Sequence, residues 1–211
     1  MYMKTVKIAM LALALAAVAC GGPADKTAGP DGNAVLDNIF NRKSVRSYTD
    51  QALSSVQIET LLRAAMAAPS GMNLQPWRFV VVTDPEVRQA LAGPRGGMIA
   101  QAPAVFVVCG EPMMKGRPAA EGGEPVLVPN GNWTADCAAA TENLLLAAEA
   151  LGLGAVWTAC YPYDERMAQT RAALGLPDDV TPYCVVPVGY PAGDEQPKDK
   201  WKPENVHYDK W

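Results

Sequence analysis

Apolar positions along the chain recur with two different periods, helical and strand-like, and these divide it into segments. Val35, Leu36, Ile39 and Phe40 repeat at helical intervals, with Asp31 upstream as a capping residue type. Ser54 and Gln57 stand at capping-box spacing before Ile58, Leu61, Leu62, Ala65 and Met66, the inward face of a second helix that Pro69 ends. Arg78 to Thr83 reads as a strand, and Asp84-Pro85 as a helix start, because Asp caps and Pro suits the first turn. Gly93 to Gln101 reads as irregular. The unbroken apolar run from Pro103 to Cys109 predicts a central strand buried on both faces.

Thr134 to Leu151 is the longest predicted helix, small-faced through Ala138, Ala139, Ala140, Ala147 and Ala148 and closed by Gly152. Ala155 to Ala159 and Pro182 to Val188 are predicted strands, with a helix capped by Asp164 between them. Glu111 to Asn132 is rich in Pro and Gly and lacks periodicity, which suits a lid or binding loop that places substrate contacts.

The first twenty residues follow another rule. Lys4 and Lys7 precede an apolar run from Ile8 to Ala19 that is short for a bilayer span, the pattern of an export signal. Cys20 after Ala17-Val18-Ala19 resembles the lipobox of bacterial lipoproteins. That resemblance implies lipidation at Cys20 and a mature protein anchored on the periplasmic or outer-membrane side. Residues 21–32 cannot bury enough surface to order themselves and read as a tether, which leaves 33–211 as one domain.

Composition removes several chemistries. A formal net charge of −4, with no basic stripe, argues against nucleic acid. His207 is the sole histidine and no Cys-x-x-Cys pair occurs, which disfavours a zinc site or a Ser-His-Asp triad. Cys109 and Cys184 in apolar runs, and Cys137 in the Ala-rich helix, read as small buried hydrophobes.

Two polar clusters remain. Arg42-Lys43-Ser44-Val45-Arg46 gathers three cations and a hydroxyl, and Arg42 and Arg46 share a face in either a helix or a strand. Converging guanidinium groups suit a phosphate dianion through bidentate hydrogen bonds. Ala68 to Trp77 is a helix-to-strand corner: Pro69 stops the helix, Gly71 lets the backbone turn, and Pro76 biases Gln75 toward extended geometry. Ser70, Asn73 and Gln75 present groups that donate and accept, which suits a heterocycle edge.

Together, Arg-x-Ser-x-Arg followed by Pro-Ser-x-x-Asn-x-Gln-Pro-Trp resembles the nitroreductase family of FMN-dependent oxidoreductases, from about Val35 to the C-terminus. The resemblance implies an α+β fold, a central mixed β-sheet flanked by helices. It implies a homodimer whose C-terminal segment crosses to the partner, with one FMN in each of two interface clefts. Arg42, Ser44, Arg46 and Lys200 would hold the phosphate and ribityl chain, with Lys43 and Lys198 beside them. Pro69, Ser70, Met72, Asn73 and Gln75 would face the ring of the partner's flavin. Backbone amides among Thr158, Ala159 and Cys160 are candidates for its reactive nitrogen.

The activity implied is ping-pong reduction of electron-poor acceptors such as nitroaromatics or quinones, with a nicotinamide donor and no side chain as acid or base. Alternatives are a dehalogenase-like or flavin-processing relative, or a tethered flavin-binding module without turnover. Export would separate the chain from cytosolic NAD(P)H, so either the donor differs or the leader reading fails.

Overall fold

The structure is a computed structural model that describes residues 32–93, 96–116 and 125–211. The expected leader with Cys20, all but the end of the tether, and Asp31 lie outside these residues. Helix α1, Ala34–Asn41, is capped instead by Asn33, whose side chain accepts from the Val35 and Leu36 N–H groups. Helix α2, Ser55–Met66, opens with the expected capping box of Ser54 and Gln57. Leu61 and Ala65 of α2 are buried, but Met66 is 50% exposed. Five positions past Leu61 is about 140° round the helix, which carries Met66 off the inward face.

Strand β1, Trp77–Val82, leads through Asp84, which caps α3, Pro85–Ala92. The stretch expected to be irregular contains a short helix α4, Gly97–Gln101. Tertiary burial outweighs its weak local propensity, because Ile99 is fully enclosed. Strand β2, Ala104–Gly110, is buried along its whole length, as the apolar run requires.

The stretch expected to be a lid or binding loop contains a hairpin of β3, Met113–Lys115, and β4, Leu127–Pro129. Helix α5, Trp133–Ala150, follows. The next expected strand is interrupted into β5, Gly154–Ala155, and β6, Thr158–Ala159. Both pair with β7, Thr181–Gly189, in one register. The break falls opposite Pro187, which has no N–H for the ladder, and Val156 N–H reaches its carbonyl only at 3.4 Å. Helix α6, Asp164–Leu174, lies between; Tyr163 occupies its cap position, so Asp164 belongs to the first turn rather than preceding it.

The sheet order is β1-β2-β7-β5, with β6 also on β7, and every named pairing is antiparallel. A parallel bridge, Ser44 to Ala155, makes it mixed. Alternation along β2 splits the core into two layers. Ala104, Phe106 and Val108 meet Leu61, Ala65, Ala140 and Leu144 of α2 and α5. Val105, Val107 and Cys109 meet Leu91 of α3 and Ile99 of α4. Cys109, Cys137, Cys160 and Cys184 are buried.

Candidate functional site

The 42–48 segment leaves α1 in extended form, which decides between the two geometries open from the sequence. Val45 is the inward residue: it is 1% exposed, and its N–H donates to the Ala155 carbonyl at 3.0 Å. The Tyr48 hydroxyl donates to the Val45 carbonyl at 2.6 Å and the Pro187 carbonyl at 3.2 Å, and burial pushes that phenol's pKa up. Gly154 makes room, since a Cβ there would sit 2.6 Å from the Val45 Cβ. With Val45 fixed inward, period-two alternation turns Ser44 and Arg46 outward.

Arg42, Lys43, Ser44 and Arg46 then line one cleft of about 350 Å³ with Glu195, Gln196, Lys198 and Lys200. Both lysines singled out in the C-terminal segment thus reach the Arg-x-Ser-x-Arg motif. Five cations face one carboxylate in a chain whose net charge is −4. Arg42 pairs with Glu142 at 3.1 Å and Lys43 with Glu149 at 3.1 Å, both on α5. Among the described residues Arg46, Lys198 and Lys200 form no ion pair, so their charge is available to a ligand.

Glu195 was not anticipated, because one acid in a charge-rich tail carries no distinguishing signal. Its Oε1 accepts from Arg46 N–H at 3.1 Å and from the Ser47 hydroxyl at 3.4 Å. The Arg46 N–H, then its own N–H, hold the carboxyl below the usual carboxylate range.

The corner at Pro69 to Trp77 is built differently from expectation. Positive φ falls on Met72 (51°), Asn73 (56°) and Gln75 (49°), not on Gly71. Gly71 serves close approach instead, since a Cβ would lie 2.5 Å from the Asn132 Nδ2. Gln75 is drawn out of the extended region by two bonds. Its N–H donates to Ser70 Oγ at 3.0 Å and its Nε2 to Asn73 Oδ1 at 3.1 Å. Asn73 Nδ2 and Gln75 Oε1 have no partner among the described residues, leaving one donor and one acceptor side by side. Pro69, Met72 and Asn73 are exposed.

A second residue that sequence reasoning missed fastens this corner. Asp136, in the first turn of α5, is 5% exposed, and its Oδ1 accepts from Gly71 N–H at 2.9 Å. Its Oδ2 is buried without a partner among the described residues. A lone acid at a helix start looks like ordinary dipole compensation, so its reach to the corner was not legible.

At the β6 end, Thr158 Oγ1 donates to the Val185 carbonyl at 2.6 Å and Cys160 N–H to the Tyr183 carbonyl at 3.0 Å. Antiparallel alternation then aims the Thr158 N–H at β7 as well and the Ala159 N–H away from it. Trp133, Tyr161, Tyr183 and Trp157 form an edge-to-face cluster around this end, with centroids 4.9 to 5.9 Å apart.

The corner and the cation cleft stand apart. Asp136 is thirteen residues from Glu149 and six from Glu142, which is about 20 and 9 Å along α5 and about a third of a turn or more round it. Helix α5 separates the two motifs within one chain.

The nitroreductase family model matches residues 39–190. A relative from Archaeoglobus fulgidus, provisionally assigned as an NADH dehydrogenase/NAD(P)H nitroreductase, is 40% identical over 181 residues, covering 83% of this chain and 98% of the relative. The FMN reductase (NADPH) of Bacillus subtilis is 30% identical over 187 residues, covering 84% of this chain and 74% of that protein. A crystal structure from Bacteroides thetaiotaomicron with the same provisional assignment as the first is 44% identical, with a TM-score of 0.76 over 85% of this chain and 99% of the other.

Proposed function

The chain belongs to the nitroreductase family, whose cofactor is FMN, and from that premise we propose a homodimeric oxidoreductase that reduces electron-poor acceptors with electrons from NAD(P)H. The observation that carries the reading is the separation of two complementary polar motifs by α5. The cleft fits a phosphate dianion: guanidinium forks and lysine point charges outnumber its one carboxylate, Glu195, and among the described residues Arg46, Lys198 and Lys200 form no salt bridge. The corner fits a flavin ring edge, with the free Nδ2 of Asn73 beside the free Oε1 of Gln75. One chain does not bring them together, so a second copy completes each site.

Apolar surface fits that assembly. Val35 and Phe40 of α1, Met72 of the corner, and Trp201, Tyr208 and Trp211 of the C-terminal segment are exposed, a distribution that suits burial against a partner crossed by that segment.

Bound FMN supplies the redox chemistry, and the chain binds, orients and shields it. Arg42, Ser44, Arg46, Lys198 and Lys200 anchor the phosphate and ribityl chain, with Lys43 beside them and held by Glu149. Pro69, Ser70, Met72, Asn73 and Gln75 fix the partner's ring. The Ala159 N–H, free of the β7 ladder, is the local donor to the reactive nitrogen, with Thr158 and Cys160 holding its strand. Donor and acceptor would use the same site in turn, so ping-pong kinetics are expected.

Residues 1–20 are read as an export leader ending at a lipidated Cys20, and 21–32 as the tether of an anchored domain. Their support is the sequence pattern, and labelling with a fatty acid after Cys20→Ala tests them. For the enzyme itself, protein purified without residues 1–20 should be a yellow dimer that releases FMN and consumes NAD(P)H steadily with a nitroaromatic or quinone. A colourless monomer indifferent to added FMN would overturn the proposal, and flavin binding without turnover would leave only a carrier.

A further inference from the structure

The cleft's cations come from two segments about 150 residues apart, and the second, carrying Lys198 and Lys200, is exposed and without regular structure. Backbone bonds guide it only part of the way. Thr49 N–H meets the Tyr190 carbonyl at 2.9 Å, Tyr48 bridges to Pro191, and Ala192 N–H meets the Ser47 carbonyl at 3.0 Å. Beyond Ala192 the next tie to the Arg42–Arg46 segment is Glu195 Oε1, which accepts from Arg46 N–H and Ser47 Oγ. Glu195 Oε2 is buried without a partner among the described residues. A Cβ on Gly193 would lie 2.8 Å from Ser47 Oγ and 2.9 Å from Glu195 Oε2. The carboxylate therefore occupies space that the missing side chain of Gly193 leaves open.

A carboxylate in a cleft built for an anion is electrostatically adverse, since it opposes a phosphate and neutralises part of the cationic field. Its hydrogen bonds lead in the other direction. We infer that Glu195 is a positioning residue: it clasps the backbone of Arg46 and the hydroxyl of Ser47, fastening the lysine-bearing segment against the arginine-bearing one so that both close on the phosphate. Gly193 is the second half of the clasp, because it admits the carboxylate. The inference rests on the reading of this cleft as the flavin phosphate site.

The two roles of Glu195 predict opposite signs. If the carboxylate acts only as a repulsive charge, removing it tightens FMN binding. If it clasps, removing it loosens binding. The test uses the FMN-stripped dimer of wild type, Glu195→Ala, Glu195→Gln, Gly193→Ala and the Gly193→Ala/Glu195→Ala double variant. Two readouts are taken: the FMN dissociation constant from flavin fluorescence, and amide exchange of peptides covering 42–48 and 194–202 in flavin-free protein.

Glu195→Ala should weaken FMN on the order of tenfold, the scale of a lost charged hydrogen bond, and speed exchange in both peptides. Gly193→Ala changes no charge and should move both readouts in the same direction by less, because its Cβ meets only the movable ends of the Ser47 and Glu195 side chains. Glu195→Gln keeps an acceptor oxygen and should restore slow exchange and binding near wild type. The double variant should match Glu195→Ala, because the Gly193 change acts on the same contact. Tighter FMN binding by Glu195→Ala, or unchanged exchange in that variant, overturns the clasp. Wild-type protein that binds no FMN would defeat the phosphate reading, while exchange in the flavin-free protein still decides the clasp.

Discussion

Replacing Asp136 with Ala removes one acceptor, and its consequence follows from what that acceptor restrains. Met72, Asn73 and Gln75 all sit at positive φ, and none is glycine. Non-glycine residues in that region cost roughly 1 kcal/mol each, so the corner stores about 3 kcal/mol. The bond from Gly71 N–H to Asp136 Oδ1 is 2.9 Å long in a buried setting, and a hydrogen bond to such a carboxylate contributes about 1.5–3 kcal/mol. Anchor and strain are therefore of similar size, and loss of the anchor lets the corner relax. Asp136→Ala should lower unfolding free energy by about 1–3 kcal/mol, because the lost bond and the vacated volume are partly offset by the strain the corner releases as it relaxes. Asp136→Asn keeps an acceptor at Oδ1, and its amide replaces an oxygen that has no partner among the described residues, so it should cost about 1 kcal/mol. Urea denaturation measures both, and amide exchange over 69–76 reports whether the corner itself loosens. Equal losses in the two variants, or unchanged exchange in the Ala variant, would refute the anchoring argument.

Gly154→Ala should destabilise by about 1–3 kcal/mol and weaken FMN binding together, because the new Cβ overlaps Val45 between the two outward residues Ser44 and Arg46; a thermal melt and a flavin titration check it. Arg46→Ala should weaken FMN about tenfold or more per lost bond, whereas Lys43→Ala, already committed to Glu149, should change flavin affinity little. Co-expressed Arg46→Ala and Asn73→Ala chains should recover about a quarter of wild-type flavin sites, since half the dimers are mixed and each mixed dimer has one intact site; no recovery would place both motifs on one chain's site. Burial pushes the Cys109 and Cys137 thiols up to about 12, so the folded state favours the neutral thiol. That stabilisation is fully present below the ordinary thiol pKa of 9.0 and is lost as pH rises toward 12. Denaturation midpoints should therefore fall above pH 9, and a thiol reagent should titrate the four buried cysteines only after unfolding.

Legibility followed how far each signal acts along the chain. The Arg42 to Arg46 pattern was readable because period-two and helical spacing give the same face, and the Ser54–Gln57 box because capping is settled within four residues. The strand at 104–110 was readable from its apolar run alone. Gln75 was misread because the Pro76 bias is local, and two hydrogen bonds from Ser70 and Asn73 outweigh it. The break between β5 and β6 had a visible signal in Pro187, but its effect falls on a strand about thirty residues earlier. Asp136 and Glu195 act across 65 and 149 residues, and no periodicity encodes such a partner.

The same distinction explains why the site divides as it does. A small-faced helix lets neighbours approach closely, and α5 carries both fastenings: Asp136 for the corner, Glu142 and Glu149 for the cation segment. Because these acids point from different sides of one rigid rod, neither motif is free to swing toward the other within a chain. On the proposed two-chain site, the rigidity that holds the two motifs apart in one subunit would hold them in register when two subunits meet. Affinity for the cofactor and stability of the pair then become linked quantities, since a ligand gripped by both chains stabilises only the assembled form. Flavin should consequently raise the dimer's resistance to dilution, and a variant weakened in either fastening should lose that protection before it loses its fold.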